Sequence, residues 1–249
     1  MKTKLKSFKR KRKVALTASV IISFMLPILI ISYLVILPAF PHFLFSKNVS
    51  KNNITIYYND DFEKNQLLQI ITQTNSKLEK SYFYNKKLKS DVFICNNTFL
   101  YVFLNPFNFR GFASNQVRWR HIFVANASPE KNISTPNFDQ NRKESLTNLL
   151  AHEINHGFSK KFNEKKLKEW KEEGYAEYIA YDKNVDLKTE YNDSLNKNYW
   201  YIQRKCFVYY LLEIKKVKID DFLKTDYDLE KLDLEIKLYL SKNKTPKTN

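Results

Sequence analysis

His152 and His156 stand four residues apart with Glu153 between them, in a stretch that reads as a helix from Arg142 to roughly Lys160. The pentapeptide His152-Glu153-Ile154-Asn155-His156 constrains the chain more than any other feature. A helix turns once every ~3.6 residues, so positions i and i+4 share a face and both imidazoles can reach one metal ion. Glu153 sits beside them, placed to act on a metal-bound water. The chain has only 4 histidines, and composition alone rarely assembles such a pattern. The rival is a pair of surface histidines on an ordinary amphipathic helix, and a later segment weighs against it.

That segment is Trp170-Lys171-Glu172-Glu173-Gly174-Tyr175-Ala176-Glu177-Tyr178. The pattern H-E-x-x-H is a signature of zinc metallopeptidases. Over about Leu146 to Tyr181 the chain resembles the gluzincin metallopeptidases, in which a second helix carries W-x-x-E-G-x-A-E-Y or something close to it. In that family the glutamate before the glycine is the third zinc ligand, and the matching residue here is Glu173. The gap between His156 and Glu173 is slightly shorter than the commonest one in that family. The resemblance implies Zn2+ as cofactor, held by His152, His156 and Glu173. It implies a peptide or protein substrate, with Glu153 as general base. A metzincin pattern is excluded, because Ser159 and Phe162 stand where it needs glycine and histidine.

Elementary coordination chemistry agrees with this set. Catalytic zinc takes three protein ligands and keeps a fourth position for water. Glu173 and Glu177 are four apart and share a helix face. With Glu173 on the metal, Glu177 lies one turn on, where it can accept the spare N–H of a ligand histidine and fix its tautomer. Glu172 reads as part of a solvated face. The expected reaction is peptide hydrolysis, in which Glu153 takes a proton from an activated water and returns it to the leaving amine. Tyr199, Arg204, Tyr209 and Tyr210 are the candidates for stabilising the oxyanion. The alternative function is a catalytically inactive, metallopeptidase-like binding protein.

The net charge of +16 is uneven, with Lys2, Lys4, Lys6, Lys9, Arg10, Lys11, Arg12 and Lys13 supplying eight of it. A basic balance can mean nucleic acid, but this block abuts an uncharged run, Val14 to Phe40, rich in Ile, Leu and Val. About 20 apolar residues span a bilayer. The reading is therefore no nucleic-acid partner, and a membrane partner through an N-terminal transmembrane anchor over 14–40. Residues 1–13 form a basic cytoplasmic segment, and the positive-inside rule sets the orientation. The protein is expected to be single-pass, with its N-terminus cytoplasmic and the catalytic domain extracytoplasmic. A cleaved signal peptide is the competing interpretation.

The remaining fold reads as α+β: a small zincin-like domain over 47–240, then a polar tail over 241–249. A short sheet packs on the His152–His156 helix, followed by a helical C-terminal part. Hydrophobic residues at 43% and aromatics at 15% suffice for one core. Asn53–Tyr58 and Asp91–Cys95 read as strands, Phe62–Lys80 as a helix, and Thr98–Leu104 as ambiguous. Gln116–Ala125 reads as one strand, with Val117–Val124 an edge that can pair with extended substrate. His121 is assigned a structural role. Helices are expected at Tyr199–Lys215 and Asp220–Leu240. Cys95 and Cys206 sit in apolar runs, which favours two buried thiols over a disulfide. Gly157 and Gly174 flank the ligands, where a missing Cβ allows close approach.

Overall fold

The computed structural model describes residues 39–116, 119–162, 167–197 and 200–243, together with Ser23, Met25, Leu26, Pro27 and Tyr33. Residues 1–44 and 45–249 are separate compact units. In the first, Pro41–Leu44 forms one 3-10 turn.

The second unit is an α+β domain, and the expected membrane-crossing helix is not part of the described structure. Among the described residues no helix is long and apolar enough to cross a membrane. The basic segment 1–13 and most of 14–40 lie outside the described residues. The fold class is corrected accordingly, and the single-pass topology with an extracytoplasmic catalytic domain is withdrawn with it.

A five-stranded mixed sheet forms the base of the domain. Its strands are β1 (Lys47–Lys51), β2 (Ile54–Tyr58), β3 (Ser90–Cys95), β4 (Ala113–Gln116) and β5 (His121–Ala125), in the spatial order β1-β2-β3-β5-β4. β2, β3 and β5 run parallel, whereas the two outer strands pair antiparallel to their neighbours. β3 is interior and buried over Val92–Cys95, which explains its continuous apolar sequence. One face, carrying Ile56, Val92, Ile122 and Val124, joins the main core. The other stacks Tyr57, Phe93 and Phe123, with ring centroids 4.9 and 5.2 Å apart. His121 is 5% exposed, lies edge-on to Phe93 at 5.2 Å and sits 3.9 Å from Asp91.

The single strand expected over Gln116–Ala125 is in fact two strands of a hairpin. Arg120, at a φ of 58°, takes the left-handed conformation at the turn. β5 is paired on both sides, so the edge role assigned to Val117–Val124 passes to Ala113–Gln116; Val117 and Arg118 lie outside the described residues. Thr98–Leu104 resolves as a helix, α2, because the Asn97 side chain accepts the Leu100 N–H and caps it.

Two helices sandwich the core on the sheet. α1 (Lys64–Leu78) buries Leu67, Ile70, Ile71 and Leu78. α3 (Leu146–Phe162) carries the histidine pair and buries Leu146, Leu150, Ile154 and Phe158. α3 begins later than the sequence suggests, because Glu144–Ser145 forms a short strand, β8, beside β7 (Ile133–Ser134), which also pairs with β6 (Ala127–Ser128). Asn132, left-handed at a φ of 52°, caps α3 from across that small sheet. Its backbone oxygen accepts Leu146 N–H at 3.0 Å, and its side-chain oxygen accepts Thr147 N–H at 2.9 Å.

α4 (Glu169–Ala180) lies against α3, and α6 (Trp200–Tyr209) lies against α4. Between them runs α5 (Leu187–Lys197), an additional helix whose polar sequence hid it. A π-helical turn, Tyr210–Ile214, continues α6. The expected Asp220–Leu240 helix is two helices, α7 (Ile219–Lys224) and α8 (Leu229–Lys242), divided where Asp228 caps α8. Lys171, on α4, is buried under this C-terminal part. Its ammonium donates to the backbone oxygens of Phe222 at 2.6 Å, Leu223 at 3.2 Å and Thr225 at 2.5 Å, closing the end of α7. Cys95 and Cys206 are both buried free thiols.

Candidate metal centre

α3 presents His152 and His156 one turn apart, and α4 lays Glu173 across them. Their Nε2 atoms are 3.0 Å apart. Glu173 Oε2 is 3.5 Å from the first and 3.4 Å from the second. Donors ~2.0–2.1 Å from a tetrahedral ion lie roughly 3.3–3.4 Å from one another. The three distances match that spacing, and the donor types suit zinc. Two imidazole nitrogens and a carboxylate oxygen this close are placed to share one cation, either a proton or a metal ion. The surrounding charges favour a cation there. Burial works against a charged His152, but the carboxylates of Glu173 and Glu177 outweigh it and hold its pKa well above the ordinary value. Burial would likewise raise Glu173, yet His152 and His156 draw it far below the usual carboxylate range.

The remaining ring nitrogens are also engaged. His152 Nδ1 is 3.3 Å from Glu177 Oε1, although not aligned for a good hydrogen bond. His156 Nδ1 is 3.2 Å from Glu172 Oε1. Glu172 therefore does not lie on a solvated face. It is 9% exposed, and Lys160 reaches the same oxygen at 3.5 Å from the outside. The sequence signal was available: residues 172 and 173 are consecutive, so a helix that aims one at a ring can bring the other to its far edge. One turn further out, Glu144 accepts the Tyr181 hydroxyl at 2.9 Å. Burial first, and then the neighbouring Glu177, raise its pKa.

Packing fixes the height of α4. A Cβ added to Gly174 would meet the backbone oxygen of Arg204 at 2.6 Å and its carbonyl carbon at 2.8 Å. Only glycine lets α4 and α6 approach so closely, and Glu173 is the residue before it. Gly157 differs: an added Cβ there has no atom within 4 Å, so the close approach expected at this position is absent.

Glu153 is half-buried beside the pair, and its backbone oxygen accepts the side-chain N–H of Asn115 on the edge strand β4. Of the oxyanion candidates, Tyr199 lies outside the described residues. Arg204 is spent over the Trp200 ring at 3.5 Å and near Glu169 at 3.7 Å, while Tyr210 packs on Tyr239 at 5.7 Å. Tyr209 lies in the field of Tyr178. A further phenol in the field of the site is Tyr201, 44% exposed on α6. Its pKa is raised by burial and then by Glu173, Glu177 and Glu153. Nothing in the sequence distinguished it from the neighbouring tyrosines. Compared with known proteins, the chain matches no family model and no curated protein.

Proposed function

We propose that the domain is a zinc-dependent metallopeptidase of gluzincin type. The observation that carries this reading is the triangle of His152 Nε2, His156 Nε2 and Glu173 Oε2, with sides of 3.0, 3.4 and 3.5 Å. Bound zinc would supply a Lewis acid that polarises a peptide carbonyl and acidifies a water. Glu153, adjacent to the first ligand, takes the proton of the attacking water and delivers it to the leaving amine. Tyr201 offers a phenolic donor to the oxygen on which negative charge develops. The outer edge of β4 offers backbone groups to an extended polypeptide, which supplies affinity without demanding particular side chains. The Asn115 hydrogen bond ties that edge to the helix bearing Glu153.

The test compares the purified protein with Glu153→Gln. Both should carry about one zinc per chain, as a three-ligand site implies. Only the unaltered protein should cleave unstructured peptide, with the variant slower by roughly 10²–10⁴-fold. Zinc without turnover in both would instead support a metallopeptidase-like binding protein. Full zinc retention in a His152→Ala, His156→Ala double variant would remove the centre altogether.

A further inference from the structure

We propose that Glu172 sets the metal affinity of this centre, acting through His156. This rests on the metal-centre reading above. Each imidazole has its Nε2 in the donor triangle and a separate glutamate oxygen against its Nδ1, at 3.2 Å for His156 and 3.3 Å for His152. Both glutamates come from α4, one on either side of the ligand Glu173. The ring of His156 is held edge to edge between consecutive carboxylates, with Glu173 Oε2 at 3.4 Å from Nε2 and Glu172 Oε1 at 3.2 Å from Nδ1.

A carboxylate is costly to bury unless it is paired. The charged partners that face Glu172 are His156 and Lys160. Lys160 reaches the same oxygen from the solvent side at 3.5 Å, its own side chain 46% exposed, whereas His156 meets it at 3.2 Å from the buried side. His156 is the partner that justifies the burial. By accepting the Nδ1 proton, Glu172 fixes the tautomer that leaves the Nε2 lone pair on the metal side, and its charge makes that nitrogen a stronger donor. Glu172 is a positioning residue: it touches the ligand and not the reacting atoms.

Zinc affinity of the full chain, measured by competition with a chromophoric chelator, tests this. Glu172→Gln keeps the shape and one acceptor but loses the charge. Glu172→Ala loses both. The expected result is zinc binding weaker by about 10-fold in the first and up to about 100-fold in the second. Glu177 lies 3.3 Å from His152 Nδ1 but is not aligned for a hydrogen bond, so Glu177→Gln should weaken binding by a smaller factor than Glu172→Gln. Cobalt-loaded Glu172→Gln should show a shifted d–d absorption, a signature that a general loss of packing would not produce. Lys160→Met, which removes only the outer partner and not the contact with His156, should leave affinity within about threefold. Unaltered zinc affinity and cobalt spectrum in Glu172→Gln would overturn the proposal while leaving the centre intact. So would a loss in Lys160→Met equal to that in Glu172→Gln, because the effect would then come from helix packing. Failure of the unaltered protein to bind zinc would instead reject the metal-centre reading itself.

Discussion

Alanine at Gly174 and alanine at Gly157 should move stability in opposite directions. Both glycines lie inside helices, next to a metal-centre residue. In a helix interior, alanine is favoured over glycine by about 1 kcal/mol. At Gly157 nothing lies within 4 Å of the added methyl, so that gain is realised in full. At Gly174 the methyl lands 2.6 Å from the Arg204 backbone oxygen. That is roughly 0.8 Å inside ordinary van der Waals contact, and the obstacle is backbone that cannot rotate away. Overpacking of this kind costs about 1–3 kcal/mol. Taking the upper end and subtracting the helix gain leaves a net loss of about 2 kcal/mol. For a domain of this size that is a fall of about 4–8 °C in Tm, against a rise of about 2–4 °C for Gly157→Ala. Thermal unfolding of the two metal-free variants beside the parent measures this directly. A second readout follows from the same displacement. If α4 backs away from α6, Glu173 shifts against the histidine pair, and Gly174→Ala should bind zinc more weakly. A Tm for Gly174→Ala at or above that of the parent would refute the close-packing argument.

Tyr201→Phe should retain full zinc and fall by about 10²-fold in kcat, with KM little changed, if its hydroxyl meets charge that develops only in the transition state; the same substitution at Tyr210, which packs on Tyr239, should leave kcat unaltered. Lys171→Met should lower unfolding free energy by about 2–3 kcal/mol in urea titration, because it strands the carbonyl oxygens of Phe222, Leu223 and Thr225 that the ammonium now serves.

The parts of the domain that repeat with a clear period were readable from residues alone. α1 and α3 carry apolar residues at helical spacing, and β3 is a short apolar run, so each appears within a few residues of its expected place. That His152 and His156 share one face follows from helix geometry without any tertiary knowledge. What failed to show depends on contacts between distant segments. β1, Lys-Asn-Val-Ser-Lys, buries only Val49 and is a strand because β2 pairs with it. α3 starts at Leu146 because Asn132 reaches over to cap it, and no local signal announces a cap whose side chain lies 15 residues before the N–H it accepts. The hairpin at Arg120 was concealed by an alternating pattern that continues through its turn. Glu172 looked solvent-facing since α4 is buried on several sides, with Trp170, Lys171 and Glu172 all inside. The apolar run over 14–40 shows the opposite hazard. Hydropathy alone announced a membrane span, and the described helices contain none.

Glu144 through Tyr181 is one unbroken stretch of chain, and it contains every glutamate and both histidines of the centre. The supports come from elsewhere: Asn132 holds the start of α3, Ser81 donates to Asn155 at 2.6 Å, and the Arg204 backbone abuts Gly174. A peptide covering only that stretch would hold all the donors and none of their register. On the proposed zinc reading, metal capture is coupled to the cooperative folding of the whole domain, and an ion that binds only the native state raises its apparent stability by mass action. The same reading expects a chelator to act as a denaturant of this domain, with a melting temperature that falls with the logarithm of the free metal concentration.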